Sequence, residues 1–501
     1  MLRTFTIILE HAGKHGISVE PLPAIFVIPL IKSGEPLFRQ VYRSLRQSIV
    51  SGAFPGGHRL PSTRDLAEQL GISRTVVLLA YELLLAEGFV VGRGGSGTYV
   101  SGSLNSGATK QRERSARLAL ARFGVAAAVA ARDAHIPGGG RAAPLRFDFV
   151  WRSDMETFPF EAWRRILLRK ARAASIRAHD YGQAAGTLVL RQAIAAHLGR
   201  SRAVVCDASE VIVVNGSQQA LDLIARVLLE RGDAVAVEDP QYQGTREVLL
   251  AAGAKLRPVA VDGEGMNPAK LPAQGARLIF VTPSHQFPTG TILPLPRRLA
   301  LLDWARRKNA VIVEDDYDGE FHYAGSPLES LQGLDREGRI VYVGTFSRTI
   351  FPALRIGYLI APKSLAPAFT AAKWLSDRHS ATLEQQTLAE FIDSGMYERH
   401  LRRLRRRNTA RRAALCEAVH KYLGNRVEMT GDGAGVHVVL WLGRDFSEKA
   451  IIEKAAARGV GVYGVSRYFL KRPSRPGLML GYSRLKENEI REGIRRLSEI
   501  I

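Results

Sequence analysis

The 501-residue sequence has only two cysteines, Cys206 and Cys416. They stand far apart, so neither a disulfide framework nor a cysteine-based zinc site is supported, and no metal site is predicted. No window holds the roughly 18 consecutive apolar residues that a membrane-spanning helix requires. Residues 1–10 contain only a short apolar run with no small-residue cleavage pattern after it, which argues against a signal peptide. These absences predict a protein of the reducing cytoplasm.

Acidic residues are scarce relative to basic ones. Asp and Glu number 48 against 70 Lys and Arg, which gives a formal net charge of +22 and a pI of about 10.3. Such a charge favours an anionic partner such as nucleic acid, although a compositional bias towards arginine and alanine would produce the same balance. The length predicts two to three domains, and 46% hydrophobic residues are ample for their cores.

The first ordered pattern begins at residue 36. Apolar residues recur at four-residue spacing from Leu37 to Ile49, which predicts one face of an amphipathic helix. The segment RLPSTRDLAEQLG, residues 59–71, predicts a second helix with a Ser or Thr cap and a glycine stop. A third helix follows from residue 73 after a tight turn. Two helices joined in this way are typical of a helix-turn-helix.

Residues 89–100 predict a two-stranded ribbon with a basic, glycine-rich tip, GRGGS. In order and spacing, residues 36–101 resemble the GntR family of winged-helix regulators, which bind double-stranded DNA operators. The resemblance implies backbone contacts from Arg59, Ser62, Thr63 and Arg64, base-edge contacts from Ser73, Arg74 and Thr75, and phosphate or minor-groove contacts from Arg93 and Ser96. Residues 1–35 are predicted to be an N-terminal arm, and residues 102–146, rich in Ala, Gly and Arg, a flexible linker.

From residue 147 to the end, short apolar strands alternate with helices. This alternation predicts an α/β domain with a mixed, mostly parallel sheet, followed by a small C-terminal α+β part at about 415–501. The predicted fold class is therefore multidomain, with a winged helix-turn-helix ahead of an α/β domain.

Three segments of this α/β region carry chemistry. They are GTFSRTIFPALRIGY at 344–358, EDDYD at 314–318 and TPSHQFPTG at 282–290. Together they resemble the pyridoxal-phosphate (PLP) core of fold-type I aminotransferases. Combined with the winged helix, they resemble MocR-type regulators, which fuse a GntR domain to an aminotransferase-like domain and whose relatives form head-to-tail homodimers.

The resemblance assigns roles to particular residues. Thr345, Ser347 and Arg355 form a hydroxyl and guanidinium set suited to a phosphate, and Gly216, Ser217 and Gln218 add donors at a helix N-terminus. Tyr242 corresponds to the aromatic residue that stacks on the pyridine ring, Asp315 to the carboxylate that pairs with the ring nitrogen, and Tyr317 to the phenol that faces the ring hydroxyl.

One position departs from the enzymes. Fold-type I aminotransferases place a lysine directly after the serine, where its amine forms a Schiff base with the cofactor aldehyde; here that position is Arg348. A guanidinium is always protonated and cannot act as that nucleophile. Lys363 and Lys373 lie too far along the chain to replace it. No catalytic residue is assigned, efficient transamination is not expected, and Arg348 with Arg475 are candidate contacts for an anionic effector.

Three interpretations stay open. The first is a cytoplasmic regulator that senses PLP, or a related anionic metabolite, without a covalent bond. The second is a PLP-dependent aminotransferase that carries a DNA-binding domain, and the third is a regulator with a different effector. Asp316 and Asp318 are expected to be solvated loop charges. Residues 398–412 hold eight arginines in fifteen positions, which suits either a second DNA site or, as we favour, the basic helix common in aminotransferase-like domains.

Overall fold

A computed structural model of the chain describes residues 3–7, 26–30, 34–102, 119–132, 145–173, 180–323, 329–471 and 473–501. For 3–7 and 26–30, and at positions 131, 132 and 173, it describes the backbone alone. The chain divides into two compact units, Met1–Ala119 and Leu120–Ile501, here called the N-terminal and C-terminal units.

The described residues of the N-terminal unit form three helices and two antiparallel strand pairs. Its elements are β1 (Arg3–Ile7), β2 (Phe26–Leu30), α1 (Leu37–Val50), α2 (Thr63–Leu70), α3 (Arg74–Ala86), β3 (Val90–Arg93) and β4 (Gly97–Val100). Strands β1 and β2 pair antiparallel with each other. Strands β3 and β4 form the predicted ribbon. The winged helix-turn-helix prediction is confirmed.

The core of this unit follows the predicted spacing. Val41, Leu45 and Ile49 of α1 are buried, whereas Leu37 at the helix start is 39% exposed. They pack with Leu66 of α2 and Leu84 of α3 in one apolar cluster. Burial of such side chains contributes roughly 1.5 to 3 kcal/mol each, so the four-residue spacing alone is enough to hold α1 on the other helices.

The C-terminal unit alternates strands and helices. Its first half consists of α4 (Arg122–Arg132), β5 (Phe147–Asp148), α5 (Phe160–Ala173), α6 (Leu188–Arg202), β6 (Val211–Val214), α7 (Ser217–Leu228), β7 (Ala234–Asp239), α8 (Gln243–Ala251), β8 (Lys255–Asp262), β9 (Gly265–Met266), β10 (Leu278–Val281), α9 (Leu295–Lys308) and β11 (Val311–Asp315).

The second half leads into the C-terminal α+β part. Its elements are α10 (Leu331–Leu334), β12 (Ile340–Thr345), β13 (Gly357–Ile360), α11 (Ala366–Asp377), α12 (Thr382–Asp393), α13 (Met396–Tyr422), β14 (Glu428–Thr430), β15 (His437–Trp441), α14 (Glu448–Ala457), β16 (Val460–Gly461), β17 (Tyr463–Gly464), β18 (Gly477–Gly481) and α15 (Glu487–Ser498).

An eight-stranded mixed sheet forms the centre of this unit, in the order β6-β13-β12-β11-β10-β7-β8-β9. Neighbouring strands are parallel from β8 through β7, β10 and β11 to β12. Strand β13 runs antiparallel to both its neighbours, β12 and β6. Strands β6, β10, β11 and β12 therefore all end at the same edge. In open α/β sheets this carboxyl edge is where ligands bind.

A smaller antiparallel sheet, β14-β15-β18-β17, completes the C-terminal part. Its apolar face packs with the later turns of α13 and with α15, through residues such as Leu415, Leu440 and Ile494. The predicted aminotransferase-like architecture is thus present. No helix among the described residues is long and apolar enough to cross a membrane.

The stretch predicted as a linker is structured in part. Helix α4 lies within 102–146 and packs on α8. Its sequence, RFGVAAAVAAR, is rich in alanine, the best helix former, which explains a helix without a strong apolar period. The remaining linker residues 103–118 and 133–144 lie outside the described part of the chain, as does most of the predicted N-terminal arm.

Candidate functional site

Four segments meet at the carboxyl edge of the large sheet. Each follows directly from a strand that ends there: β6 into the turn at Gly216, β10 into the segment before Phe287, β11 at Asp315, and β12 at Thr345. Residues up to 130 positions apart in the sequence are therefore brought to one edge by the strand order.

The β6–α7 turn has the geometry of an anion cradle. Gly216 adopts φ +86°, and a Cβ there would lie 2.9 Å from the Arg355 guanidinium. Arg355 donates a 2.7 Å hydrogen bond to the Asn215 carbonyl, and Ser217 opens the twelve-residue helix α7. The helix N-terminus and the guanidinium both favour an anion at this point.

Two hydroxyl-bearing residues, Thr345 and Ser347, lie at and just after the end of β12. Thr345 Oγ1 accepts a 3.1 Å hydrogen bond from the Ser347 amide, and the Ser347 carbonyl accepts one from Ser153 at 2.6 Å. Gln218 donates to the Gly244 carbonyl at 3.3 Å, which links the start of α7 to the start of α8. The predicted phosphate-binding residues thus sit in a fixed loop framework.

Asp315 is a buried carboxylate at the end of β11. It is 8% exposed, and its Oδ1 atom makes no hydrogen bond within the described part of the chain. Burial, and then the charges of Asp316 and Asp318, raise the pKa of Asp315 to about 7, while Arg348 opposes this shift. Buried polar atoms are normally satisfied, so an orphaned carboxylate oxygen in this position fits a ligand that supplies an N–H, such as a protonated pyridine nitrogen.

Aromatic side chains and Arg348 surround this carboxylate. The Tyr242 ring is 39% exposed and meets the Phe287 ring edge-to-face at 5.8 Å. Phe287 also packs against Tyr317 at 5.8 Å. The Arg348 guanidinium lies 5.9 Å from the Tyr317 ring centroid and donates to the carbonyl of Trp151. Arg348 therefore brings a positive charge close to Tyr317 and Asp315.

A buried hydrogen-bonded group supports Tyr317. His285 Nδ1 lies 2.9 Å from the Tyr317 hydroxyl and 2.9 Å from Asp318 Oδ2. The His437 ring packs on His285 at 4.8 Å, and its Nε2 bonds the Pro288 carbonyl at 2.9 Å. Asp318 is 1% exposed, so the expectation of a solvated loop charge at this position is wrong. The Asp318 carboxylate instead lies within hydrogen-bond distance of the buried imidazole.

The expectation of a solvated loop charge is also wrong for Asp316. Its Oδ2 accepts a 2.8 Å hydrogen bond from Arg202 and a 2.5 Å bond from the Tyr342 hydroxyl, and all three side chains are buried. Arg202 also donates to Ser284, which fixes the segment after β10. The sequence around Asp316 does not predict this ion pair, because Arg202 lies at the end of α6, far from β11 in the sequence.

The two lysines considered as replacements for the Schiff-base lysine make contacts elsewhere in the C-terminal unit. Lys363 is exposed and pairs with Asp207 at 3.2 Å. The Lys373 amine is buried, 2.5 Å from Asp377 Oδ1 and 3.2 Å from Ser380 Oγ. Neither amine is hydrogen-bonded to the residues that surround Asp315.

Arg475 lies on the small C-terminal sheet. Its guanidinium pairs with Glu428 at 2.6 Å and stacks over the Trp441 ring at 5.1 Å. The structure therefore engages Arg475 in contacts with its own sheet, while Arg348 lies beside Asp315, Tyr242 and Tyr317.

The predicted DNA-contacting residues cluster around the helix-turn-helix and the ribbon. Ser62 caps α2 by accepting the Asp65 amide at 3.2 Å, and Arg74, the first residue of α3, donates to Thr63 at 3.3 Å. On the ribbon, Arg93 stacks on Tyr99 at 4.8 Å. Exposed side chains among the predicted set are those of Arg59, Ser62, Arg64, Ser73, Arg74, Thr75, Arg93 and Ser96.

Fold and site together define a winged-helix protein with an aminotransferase-like second domain. Residues 37–100 match the gntR family of bacterial regulatory proteins, and residues 152–497 match aminotransferase class I and II. A solved structure, the multiple substrate aminotransferase from Thermococcus profundus, is similar at 29% identity and TM-score 0.67. The similarity covers 72% of this chain and 92% of that one.

Two relatives are similar to this chain across both of its matched regions. The probable rhizopine catabolism regulatory protein MocR of Rhizobium meliloti is 38% identical over 92% of this chain and 93% of its own length. The pyridoxine biosynthesis transcriptional regulator PdxR of Corynebacterium glutamicum is 30% identical over 92% and 95%. The chain belongs to the MocR type of GntR-family transcriptional regulators.

Proposed function

We propose that this regulator binds an operator through its N-terminal unit and senses PLP, or a related anionic pyridine phosphate, in its C-terminal unit without a covalent bond. The observation that carries the proposal is the buried Asp315 oxygen, which makes no hydrogen bond with the described residues and lies at the same carboxyl edge of the large sheet as the Gly216 anion cradle. The PdxR relative, named for pyridoxine biosynthesis, supports a ligand of this class.

Each group of residues has a distinct task in this proposal. Gly216, Ser217, Gln218, Thr345, Ser347 and Arg355 hold the phosphate; Tyr242 covers the ring, Asp315 holds a proton on the ring nitrogen, and Tyr317 meets the ring hydroxyl. In aminotransferases, PLP serves as an electron sink when bound. Here Arg348 supplies a permanent positive charge where the enzymes have a reactive amine, so the residues bind and orient a ligand without turnover.

The first experiment compares the wild-type chain with Arg348→Lys and Arg348→Gln variants. Each is titrated with PLP, followed by tryptophan quenching and absorbance, then treated with borohydride and examined by mass spectrometry. We expect all three to bind and only Arg348→Lys to trap the cofactor covalently. Trapping by the wild type would show that another lysine serves, and the non-covalent proposal would fail.

The alternatives are separated by the same samples. Turnover of an amino acid by the wild type would identify an aminotransferase that carries a DNA-binding domain. Absence of binding in all three chains would favour a different effector. Arg348 beside Asp315 argues against the first alternative, and the orphaned Asp315 oxygen argues against the second.

On the DNA side, the proposal assigns base readout to Ser73, Arg74 and Thr75, and backbone contacts to Arg59, Ser62, Thr63, Arg64, Arg93 and Ser96. We further propose a cytoplasmic homodimer with two DNA-binding units. Tyr181, in a segment that resembles the one reaching a neighbouring subunit, is 77% exposed, which supports a contact made outside this chain. Light scattering at micromolar concentration tests the stoichiometry, and a monomeric mass would contradict it.

A further inference from the structure

Helix α13 sorts its arginines into two groups. One group is engaged with the fold: Arg405 donates to the Glu320 carbonyl at 2.7 Å, Arg407 and Arg411 pair with Asp154 at 3.4 Å and 2.8 Å, and Arg412 pairs with Asp432 at 3.4 Å. The other group, here called the basic stripe, consists of Arg399, Arg402, Arg403 and Arg406. All four are exposed, and none makes an ion pair or side-chain hydrogen bond with another residue of the described chain.

The basic stripe is one continuous surface. Its members follow the spacing i, i+3, i+4 and i+7, which at 3.6 residues per turn confines them to an arc of about 100°. The buried side chains of the same turns, Tyr397, Leu401 and Leu404, lie on the opposite side of the helix. At 1.5 Å rise per residue the stripe extends for about 10 Å.

This arrangement does not stabilise the helix. Like charges three and four residues apart repel each other, and the acidic residue on these turns, Glu398, is directed to Arg405 at 3.5 Å instead. Basic side chains on α5 show the contrast: Arg164 is paired with Glu161 at 2.7 Å, and Lys170 with Glu390 at 2.9 Å. Four adjacent unpaired guanidinium groups are a surface for a polyanion.

We propose that the basic stripe is a second DNA-binding surface, which contacts the phosphate backbone of DNA outside the operator without reading its sequence. Each strand of B-DNA carries one charge per 3.4 Å of helix axis, so a 10 Å stripe spans about three intervals between phosphates and reaches about four phosphates. Arginine forms bidentate hydrogen bonds with phosphate, and the covalently attached winged helix brings the C-terminal unit to DNA.

The test measures how DNA affinity depends on salt. A fluorescent 60-base-pair duplex of random sequence is titrated with the full chain carrying Arg74→Ala, with and without Arg→Gln at the four stripe positions, from 50 to 200 mM KCl. Each lost phosphate contact lowers the slope of log affinity against log salt by about 0.9, so four contacts give about 3.6. Over this salt range, the chain with an intact stripe should therefore lose on the order of 100-fold more affinity.

A matched control removes the same charge from paired arginines. Arg→Gln at Arg306, Arg307, Arg491 and Arg495, which pair with Asp303, Glu417 and Glu492, should change the slope by less than one. An unchanged slope in the stripe variant, or an equal fall in the control, would overturn the proposal. If the stripe variant keeps its slope while Arg74 still controls operator binding, only this inference fails; loss of all DNA binding by the unmodified chain would refute the proposed function as well.

Discussion

Replacing Asp315 with asparagine should stabilise the C-terminal unit, and the gain should grow with pH. The folded carboxyl has a pKa of about 7, raised first by burial, whereas an unfolded aspartate titrates near 3.9. The folded state therefore keeps its proton through this interval while the unfolded state loses it. Unfolding free energy consequently falls as pH rises from about 4 to 7 and is constant above that range.

The magnitude follows from the size of the shift. One pKa unit corresponds to about 1.4 kcal/mol, so the titration of Asp315 lowers the unfolding free energy, relative to acidic pH, by about 4 kcal/mol at pH 8 and about 1.5 kcal/mol at pH 5. Asparagine has nearly the same shape and carries no charge. The difference in unfolding free energy between Asp315→Asn and wild type should thus increase by about 3 kcal/mol from pH 5 to pH 8.

The assay is urea unfolding followed by tryptophan fluorescence. All five tryptophans, at positions 151, 163, 304, 374 and 441, lie in the C-terminal unit, so the signal reports that unit alone. Asp316→Asn is the matched control, because it leaves the buried Arg202 guanidinium without its counter-charge and should cost about 3 to 5 kcal/mol. A loss of stability in Asp315→Asn at pH 8, or a gain independent of pH, would refute the reasoning.

Three further predictions concern single side chains. Arg74→Ala should weaken operator binding by about 1 to 3 kcal/mol and relax sequence preference, measured by fluorescence anisotropy; an unchanged operator titration would remove Arg74 from the reading surface. Ser62→Ala should lower the stability of α2 by about 1 kcal/mol, seen as faster amide exchange in that helix, and unchanged exchange would contradict the cap. Tyr242→Ala should weaken PLP binding roughly tenfold while Tyr242→Phe retains it, and equal affinity in both variants would exclude ring stacking.

Much of the fold was predictable because its determinants are local. The four-residue spacing in α1, the Ser62 cap and the glycine stop of α2 each act within one or two turns. Short apolar runs likewise marked the strands of the large sheet, since a strand buried on both faces reads as a continuous hydrophobic segment. Helix α4 could not be predicted from apolar periodicity, because its alanine-rich sequence has a high helix propensity but no regular spacing of apolar residues.

Residues of the candidate site could be predicted only where they belong to a recognised sequence motif. Asp315 and Tyr317 follow from resemblance, but the burial of Asp316 and Asp318 does not, because their partners Arg202 and His285 come from other segments. An acidic run beside a strand end has the same composition whether it is solvated or paired. Whether these carboxylates are solvated or paired depends on the arrangement in space of β10, β11 and the end of α6.

The contrast between two adjacent carboxylates supports a ligand more strongly than Arg348 does. Asp316 is buried and accepts hydrogen bonds from the Arg202 guanidinium and the Tyr342 hydroxyl, so its contribution to the fold accounts for its presence. Asp315 has an unsatisfied oxygen and a raised pKa, and a neutral asparagine would serve the fold better. Destabilising groups of this kind are typical of functional sites, where a bound partner supplies the missing interaction. In the function proposed above, Arg348 stands in place of the amine needed for turnover and Asp315 keeps the feature needed for binding, and a sensor requires only the second.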